Sequence, residues 1–292
     1  MESELATALA VYQSARGRLF GVAYRMLGSV AEAEDILQEV WLRWQRVDHA
    51  TVQEPTAFLV TMTTRLAINE LQSARVRRES YIGPWLPEPV DTSADPTLGA
   101  ERAEALSFAV LLMLERLTPT ERAAYVLREA FAYSYEQISS VVQVSEVATR
   151  QLVSRARKHL ALERHREVPK AEQRRLLSAF VTAATTGDLR DLERLLAEDV
   201  VSYSDGGGLV RASRIPVAGR ETVAKFVRAF QSHFWNGIDV VEAEANGQPT
   251  VVLSRGDDTI AVLALTTASD GIRQLLWMMN PQKLGAVASR GR

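Results

Sequence analysis

The sequence predicts a multidomain protein, in which two all-α helical domains precede a C-terminal α+β domain. Helical periodicity with marked helix starts extends to about residue 162, and a proline-rich stretch interrupts it after residue 79. Strand-like runs separated by turn residues begin only near residue 200. We therefore expect domains at 1–79, 101–165 and 170–292, with a linker at 80–100.

The composition is typical of a globular protein, with 47% hydrophobic and 24% charged residues. Cysteine is absent, which excludes disulfides, thiolate metal sites and cysteine nucleophiles. The N-terminal residues lack the features of a signal peptide, and no run approaches the roughly 18–20 apolar residues of a membrane span. We expect a cytoplasmic protein without membrane contact, and we identify no cofactor.

The charge distribution predicts both a protein partner and DNA contacts. The net charge is −2, which is unusual for a protein that holds DNA unaided. Residues 1–60 carry a net charge of −3, whereas residues 65–78 carry +3 and residues 144–166 carry +4. An acidic lobe beside two basic patches suggests one protein partner and two DNA contacts, with weak DNA affinity for the chain alone.

Two amphipathic helices open the first domain. The first covers 5–27, and its expected core side chains are Leu5, Leu9, Tyr12, Leu19, Val22 and Met26. A capping box of Ser29 and Glu32 starts the second, which buries Ile36, Leu37, Val40, Trp41 and Trp44. Its polar side contains Asp35, Gln38, Glu39, Leu42 and Arg46. An ordinary solvated face explains most of this side, but Leu42 in its middle indicates a partner contact.

A third helix at about 55–78 is apolar on two sides. Phe58, Leu59, Met62 and Leu66 share one side, and Thr61, Thr64, Ile68, Leu71 and Arg75 share the other. It ends in the basic run from Arg75 to Arg78. Apolar and basic groups together suit unstacked bases, so this helix is a candidate nucleic-acid surface. The alternative is a plain three-helix bundle whose basic end complements a helix dipole.

The linker is rich in proline, with four of the ten prolines at 84, 87, 89 and 96. A connection of about twenty residues is too long for an ordinary loop. Its apolar residues Trp85 and Leu86 have little use in a free linker. We therefore expect the segment WLPEP to dock on a neighbouring domain.

The stretch Leu117–Leu160 predicts a helix-turn-helix, after a further helix at 101–117. Thr118 with Glu121, and Ser134 with Gln137, form capping boxes, and Ser145 begins a third helix. Gln143 occupies the turn position that favours a left-handed residue. In the last helix Ala148, Leu152, Val153, Ala156 and Leu160 share one side, and Val147, Arg150, Gln151, Ser154, Arg157 and Lys158 share the other. The second side suits phosphates and base edges, although a solvated basic face is the alternative.

The C-terminal region predicts helices at 171–197 and 221–234, a short strand at 200–203, and strands near 238–245, 250–255, 259–267 and 272–279. This pattern indicates a curved antiparallel meander with helices on one face. Only Asp205, Asp239 and His233 are candidate catalytic groups. Without a carboxylate pair or a histidine cluster at metal-ligand spacing, we expect no catalysis and no metal site.

These motifs resemble a known family. Residues 10–78, with AEAEDILQEVWLRW and FLVTMTTRLAINELQSARVRR, resemble the promoter-melting domain of extracytoplasmic-function (ECF) sigma factors. Residues 101–162 resemble their second DNA-binding domain. WLPEP at 85–89, DGGG at 205–208 and NPQKL at 280–284 resemble the subgroup with a fused SnoaL-like domain, which has the cone fold of nuclear transport factor two. Leu209 and Gln282 depart from the Lys and Asp usual in that subgroup.

The resemblance implies roles for these residues. Asp35, Gln38, Glu39 and Leu42 would bind the β′ clamp helices of core RNA polymerase, and the second domain would meet the β flap. The third helix would capture unpaired bases of the minus-ten element through Thr61, Thr64, Arg65, Asn69, Arg75, Arg77 and Arg78. Val147, Arg150, Gln151, Ser154, Arg155 and Lys158 would contact the minus-thirty-five element.

The resemblance also implies regulation by the fused domain, which would hold or release the DNA-binding domains. The residues implied are Trp85, Leu86, Pro87, Glu88, Pro89, Asp205, Gly206, Gly207, Gly208, Asn280, Pro281, Lys283 and Leu284. A small-molecule ligand of this domain is possible. The alternative function is a ligand-sensing helix-turn-helix regulator that does not bind polymerase, but this leaves the first 80 residues unexplained.

Overall fold

The computed structural model describes residues 2–92, 106–161 and 168–288, and the chain separates into two units. One unit contains Met1–Glu79 and Asp95–Glu163, and the other contains Ser80–Ala94 and Arg164–Arg292. The two helical domains thus share a unit, whereas the first part of the linker belongs with the C-terminal domain. Among the described helices, none is both long enough and apolar enough to cross a membrane.

Three helices form the first part of the helical unit: α1 (Glu2–Leu27), α2 (Val30–Trp44) and α3 (Pro55–Glu79). Ser29 begins α2 as expected, because its side chain accepts a hydrogen bond from the Glu32 amide. Leu5 and Leu9 are 49% and 39% exposed, so their assignment to the core was wrong. Residues 4–7 are all exposed, so this part of α1 contributes little to the core.

Four further helices lie in the described part of this unit: α4 (Phe108–Leu114), α5 (Pro119–Glu129), α6 (Tyr135–Val142) and α7 (Glu146–Ala161). The three helix starts at Thr118, Ser134 and Ser145 are confirmed, the first two with complete capping boxes. The helix expected from residue 101 begins only at Phe108 in the described part, because Ser107 is its N-cap, and residues 101–105 lie outside the described residues.

The turn of the helix-turn-helix has the predicted backbone. Gln143 is left-handed, with φ of 58° and ψ of 45°, and the Val144 amide donates to the Ser139 carbonyl. The Gln143 amide donates to the same carbonyl, so the turn satisfies Ser139 at the end of α6 without a glycine. In α7 the buried side consists of Thr149, Leu152, Val153, Ala156 and Leu160. The buried side therefore contains Thr149, where Ala148 was expected. Burial of the Thr149 hydroxyl is tolerated because it donates to the Ser145 carbonyl within the helix.

The described part of the second unit contains five α-helices and six strands. The helices are α8 (Lys170–Thr186), α9 (Leu189–Leu195), α10 (Arg220–Ala229) and α11 (Gln231–Phe234), followed by the short C-terminal α12 (Gly285–Ala288). The strands are β1 (Leu196–Asp205), β2 (Val217–Ala218), β3 (Asp239–Ala245), β4 (Gln248–Arg255), β5 (Asp258–Ala268) and β6 (Gly271–Met278). A core that includes Phe180, Val223, Leu263 and Trp277 lies between helices and sheet.

The sheet order is β2-β1-β6-β5-β4-β3. The predicted antiparallel meander from β3 to β6 is confirmed, but β1 pairs with β6 in parallel, with Tyr203 opposite Leu276. The strand expected at 200–203 is therefore part of a ten-residue strand. Hydrophobic alternation reveals a strand but not its distant partner, so the parallel pair could not be predicted.

Candidate functional site

The outer side of α7 is available to a ligand. Val147 is 63% exposed, and Arg150, Gln151, Ser154, Arg155 and Lys158 are also exposed. Glu146 accepts a hydrogen bond from Arg150, whose guanidinium lies 5.2 Å from the ring centre of Tyr135. Arg155 Nε lies 3.2 Å from Glu121 Oε1, with the Arg155 side chain still 59% exposed. The Arg150–Glu146 pair is at the surface, with side chains 57% and 43% exposed, so nucleic acid can replace it at low cost.

The candidate nucleic-acid side of α3 is partly covered in this structure. Thr64 is fully buried and donates to the Val60 carbonyl at 2.8 Å, so the expectation that it contacts bases is corrected for this conformation. Thr61 is half-buried and donates to Ala57. Arg65 donates to the carbonyls of Val141 and Ser140 at 3.0 and 2.9 Å, which places a cation at the end of α6. Asn69 is exposed.

Of the arginines at the basic end of α3, only the side chain of Arg78 is described. The side chains of Arg75 and Arg77 lie outside the described part of the structure. Arg78 donates to the Glu115 carboxylate and to the Leu27 carbonyl, and its side chain is only 14% exposed. In this conformation, Arg78 is therefore bound within the helical unit and does not face solvent as a DNA contact.

Glu115 joins the two helical domains. Its second carboxylate oxygen accepts from Arg122 Nη2 at 2.5 Å, and the Arg122 side chain is 1% exposed. Arg122 also donates to the carbonyls of Leu114 and Met26. A buried guanidinium is stable only when its donors are satisfied, and this one is bonded to groups from both domains. Sequence reasoning missed this network, because Glu115 and Arg122 have no motif that distinguishes them.

The polar side of α2 is accessible. Asp35 and Gln38 are exposed, and Leu42 is 43% exposed. Glu39 accepts from Arg43 Nε at 2.6 Å, in a pair whose side chains are both about half exposed. An exposed leucine between carboxylates offers apolar contact with charged surroundings, which is typical of a protein interface.

The three short motifs of the second unit meet at one buried carboxylate, Asp205. Lys283 Nζ lies 2.7 Å from Asp205 Oδ2 and also donates to the Leu86 carbonyl at 2.7 Å. The Leu86 amide donates to Asp205 Oδ2 at 2.9 Å, and the Tyr81 hydroxyl donates to Oδ1 at 2.5 Å. Asn280 Nδ2 donates to the Tyr81 hydroxyl at 2.9 Å. We call these five residues the Asp205 cluster.

Electrostatics favour this arrangement. Asp205 is fully buried, so its charge requires both the ammonium and the donors around it. Lys283 Nζ lies 4.3 Å from the ring centre of Trp85 and 5.0 Å from that of Tyr81, which are cation–π distances. Burial and the hydrogen bond to Asp205 raise the pKa of Tyr81 above its ordinary value of 10.0. The phenol therefore remains a donor to the carboxylate.

The glycines of DGGG are required by close contacts. Gly207 and Gly208 have φ of 59° and 74°, values that favour glycine. A Cβ at Gly207 would overlap the Asn280 amide, and one at Gly208 would lie 2.9 Å from Ile82 Cδ1. One at Gly206 would lie 2.8 Å from the Val210 carbonyl oxygen. The turn can approach the Asp205 cluster only without side chains.

The linker has a second attachment at the β3–β4 turn. The Asn246 amide donates to the Val90 carbonyl, and Asn246 Oδ1 accepts from the Val90 amide, both at 2.9 Å. Asp91 bridges to Ala245, and Thr92 accepts from the Gly247 amide. Leu86, Glu88 and Val90 are at most 7% exposed. The linker is thus attached to the domain at Tyr81, at Leu86 and from Val90 to Thr92, and residues 86–90 are buried.

Comparison with known proteins decides the family. The ECF RNA polymerase sigma factor SigJ of Mycobacterium tuberculosis is 37% identical over 232 residues, covering 78% of this chain and 74% of SigJ. This chain belongs to the ECF RNA polymerase sigma factors. The Sigma-70 region 2 model matches residues 11–77 of this sigma factor, and the Sigma-70 region 4 model matches residues 107–160.

Two further comparisons extend over nearly the whole sigma factor. A probable ECF RNA polymerase sigma factor of Mycobacterium tuberculosis, SigI, is 29% identical over 279 residues, which is 94% of each chain. The crystal structure of Mycobacterium tuberculosis SigJ matches with a TM-score of 0.77 and 31% identity, covering 95% of this chain and 98% of that one. The predicted fold class is confirmed: helical sigma domains precede a C-terminal SnoaL-like α+β domain.

Membership of this family accounts for the first 80 residues, which the alternative function leaves unexplained. As a sigma factor, the chain binds core RNA polymerase and promoter DNA and directs promoter-specific initiation. Residues 11–77 match region 2, so a helix-turn-helix regulator without polymerase binding is not favoured.

The three candidate catalytic groups do not share a site in the described structure of this sigma factor. Asp205 is held by Lys283 and Tyr81, and Asp239 is exposed on β3. His233 is exposed beside Ser232. Within the described residues, no group of three or more His, Cys, Asp or Glu is arranged to hold a metal ion.

Proposed function

We propose that the C-terminal domain regulates this sigma factor in cis by holding the linker through the Asp205 cluster. The observation that carries the proposal is the bond pattern of Lys283, which joins the Asp205 carboxylate to the Leu86 carbonyl of the linker. One side chain thereby connects all three short motifs of the second unit. Residues 162–169 and the linker are the covalent connections between this domain and the sigma regions.

The contacts between region 2 and region 4 suggest that the sigma factor is inactive while the C-terminal domain holds the linker. Capture of unpaired bases by α3 requires Thr64 and Arg65, yet Thr64 is buried and Arg65 is bonded to α6. Region 4 must therefore separate from region 2 before α3 can act. A linker held along Tyr81–Thr92 limits the separation that the two regions can reach.

We also propose roles for the exposed surfaces. Asp35, Gln38, Glu39 and Leu42 contact the β′ clamp helices, region 4 meets the β flap, and the outer side of α7 reads the minus-thirty-five element. Low net charge is compatible with this division, since core polymerase supplies the remaining affinity for DNA. We propose that the chain acts in the cytoplasm, together with core polymerase.

Single-round transcription with core polymerase tests the proposal on the full chain. Lys283→Met removes the ion pair and the bond to the linker, and we expect promoter output to rise. Lys225→Met is the matched control, because it removes an exposed Lys–Glu pair on α10 with side chains 61% and 73% exposed. Equal output from the parent and Lys283→Met would exclude regulation through the Asp205 cluster.

A further inference from the structure

The second unit contains a cavity of about 440 Å³ beside the first residues of β5. Its apolar lining includes Val210, Phe234, Ile260 and Met279, which come from four separate parts of the domain. A volume of this size lies in the range of cavities that hold small organic molecules, which are usually lined by apolar groups with few polar ones.

The polar lining contains the cation Arg255, which forms no ion pair among the described residues. Arg255 lines the cavity, and its Nη2 donates to the carbonyls of Phe234 and Asn236 at 3.1 and 3.3 Å. These bonds hold the guanidinium at the rim without neutralising it. Asp258 also lines the cavity, yet among the described residues no carboxylate lies within salt-bridge distance of Arg255. His233 is a second polar group on the same rim.

We infer that this cavity binds a small amphipathic organic anion, such as an aromatic carboxylate. The ring would lie against Phe234, Ile260 and Met279, and the carboxylate would pair with Arg255. A planar guanidinium is suited to a carboxylate, since it donates two parallel hydrogen bonds.

The cavity adjoins the Asp205 cluster through the chain. Met279 and Pro281 line the cavity and flank Asn280, which donates to Tyr81. The Met279 amide donates to the Asp205 carbonyl at 2.8 Å. A ligand that moves this segment also moves groups that hold the linker. This coupling, unlike the binding itself, rests on the proposed function.

Calorimetry with three probes tests the site on the full chain. The probes are 2-naphthoate, its neutral isostere 2-naphthamide, and the cation 2-naphthylmethylammonium. We expect 2-naphthoate to bind at least tenfold more tightly than the other two. Arg255→Gln should remove this preference, Arg255→Lys should retain part of it, and Ile260→Trp should fill the cavity and abolish binding.

The control is Arg194→Gln, which removes one cation from an exposed pair on α9 and should leave binding unchanged. The inference is overturned if the three probes bind equally, if none binds below about 1 mM, or if binding of 2-naphthoate survives both Arg255→Gln and Ile260→Trp.

Single-round transcription then tests the coupling. We expect 2-naphthoate to change the output of the parent and not that of Arg255→Gln. Binding without any change in output overturns the coupling while the binding site stands. If Lys283→Met also leaves output unchanged, the proposed regulation by the Asp205 cluster is what has failed.

Discussion

Lys283 and Asp205 form an ion pair at 2.7 Å, in which the Asp205 side chain is fully buried and that of Lys283 is 10% exposed. The two residues lie 78 positions apart in the chain. Asp205 accepts a hydrogen bond from the Leu86 amide, and Lys283 donates one to the Leu86 carbonyl. Both charged groups therefore hold the linker. Loss of one partner leaves the other charge buried, and the stability of the domain should reflect this.

We expect Lys283→Met to lower the free energy of unfolding of the C-terminal domain by about 3 kcal/mol, because a buried carboxylate loses its counter-ion. Urea denaturation followed by tryptophan fluorescence measures this. Lys225→Met should cost at most about 0.5 kcal/mol, since that pair is exposed. The double variant with Asp205→Asn should recover part of the loss. Equal effects of the two lysine variants would contradict a structural role for the pair.

Tyr81 predicts a pH dependence. Burial and the bond to Asp205 raise its pKa in the folded state above the ordinary 10.0. Below pH 10 the phenol is protonated in both states, so its contribution is fully present. As the pH rises above 10 the unfolded state loses the proton first, and this contribution to stability declines. The stability difference between parent and Tyr81→Phe, measured from pH 8 to 11, should shrink above pH 10. A constant difference would argue against the raised pKa.

A comparison of alanine variants at two glycines distinguishes the cost of a left-handed backbone from the cost of side-chain overlap. Gly207 and Gly256 both have φ of 59°, but a Cβ at Gly207 would overlap Asn280, whereas nothing lies within 4 Å of one at Gly256. Gly256→Ala should cost about 1–2 kcal/mol for the left-handed backbone alone. Gly207→Ala should cost clearly more and lower the melting temperature further. Equal losses in thermal unfolding would mean that the DGGG turn adapts to a side chain.

Glu115 predicts coupling between regions 2 and 4. It accepts from Arg78 of α3 and from the buried Arg122 of α5. Glu115→Gln should lower the unfolding free energy by about 2 kcal/mol, less than for a fully buried pair because the Glu115 side chain is 25% exposed. Amide exchange in α3 should accelerate. Glu146→Gln breaks an exposed pair and is the control. Unchanged exchange in α3 would contradict a role in closing the unit.

Exposure of Leu42 predicts that its side chain contributes to the affinity for core polymerase. Leu42→Ala should weaken binding to core polymerase about tenfold, or about 1.4 kcal/mol, because an exposed apolar contact is lost. Leu5→Ala is the control, since Leu5 is 49% exposed on α1 and outside the proposed surface. Competition binding with labelled parent protein measures both. The same loss in the two variants, or none in Leu42→Ala, would exclude the proposed contact.

The amino-acid sequence alone determined the local structure and the family. Thr118, Ser134 and Ser145 begin helices through bonds to amides three residues later, and Gln143 ends one through its own backbone angle. Turn residues likewise separate β3 from β4 and β5 from β6. These features depend on groups a few residues apart, so a linear pattern contains them.

Only the tertiary structure decided which surfaces are free and which residues hold the linker. Thr64 lies on an expected nucleic-acid face yet is fully buried in the helical unit. β1 takes a parallel partner about 70 residues later, and Lys283 bonds to Leu86 across 197 positions. Glu115 and Arg122 belong to no motif, and the bond from Arg122 to the Met26 carbonyl crosses 96 positions. Such contacts depend on packing between distant segments and on the burial of charge, which no local pattern specifies.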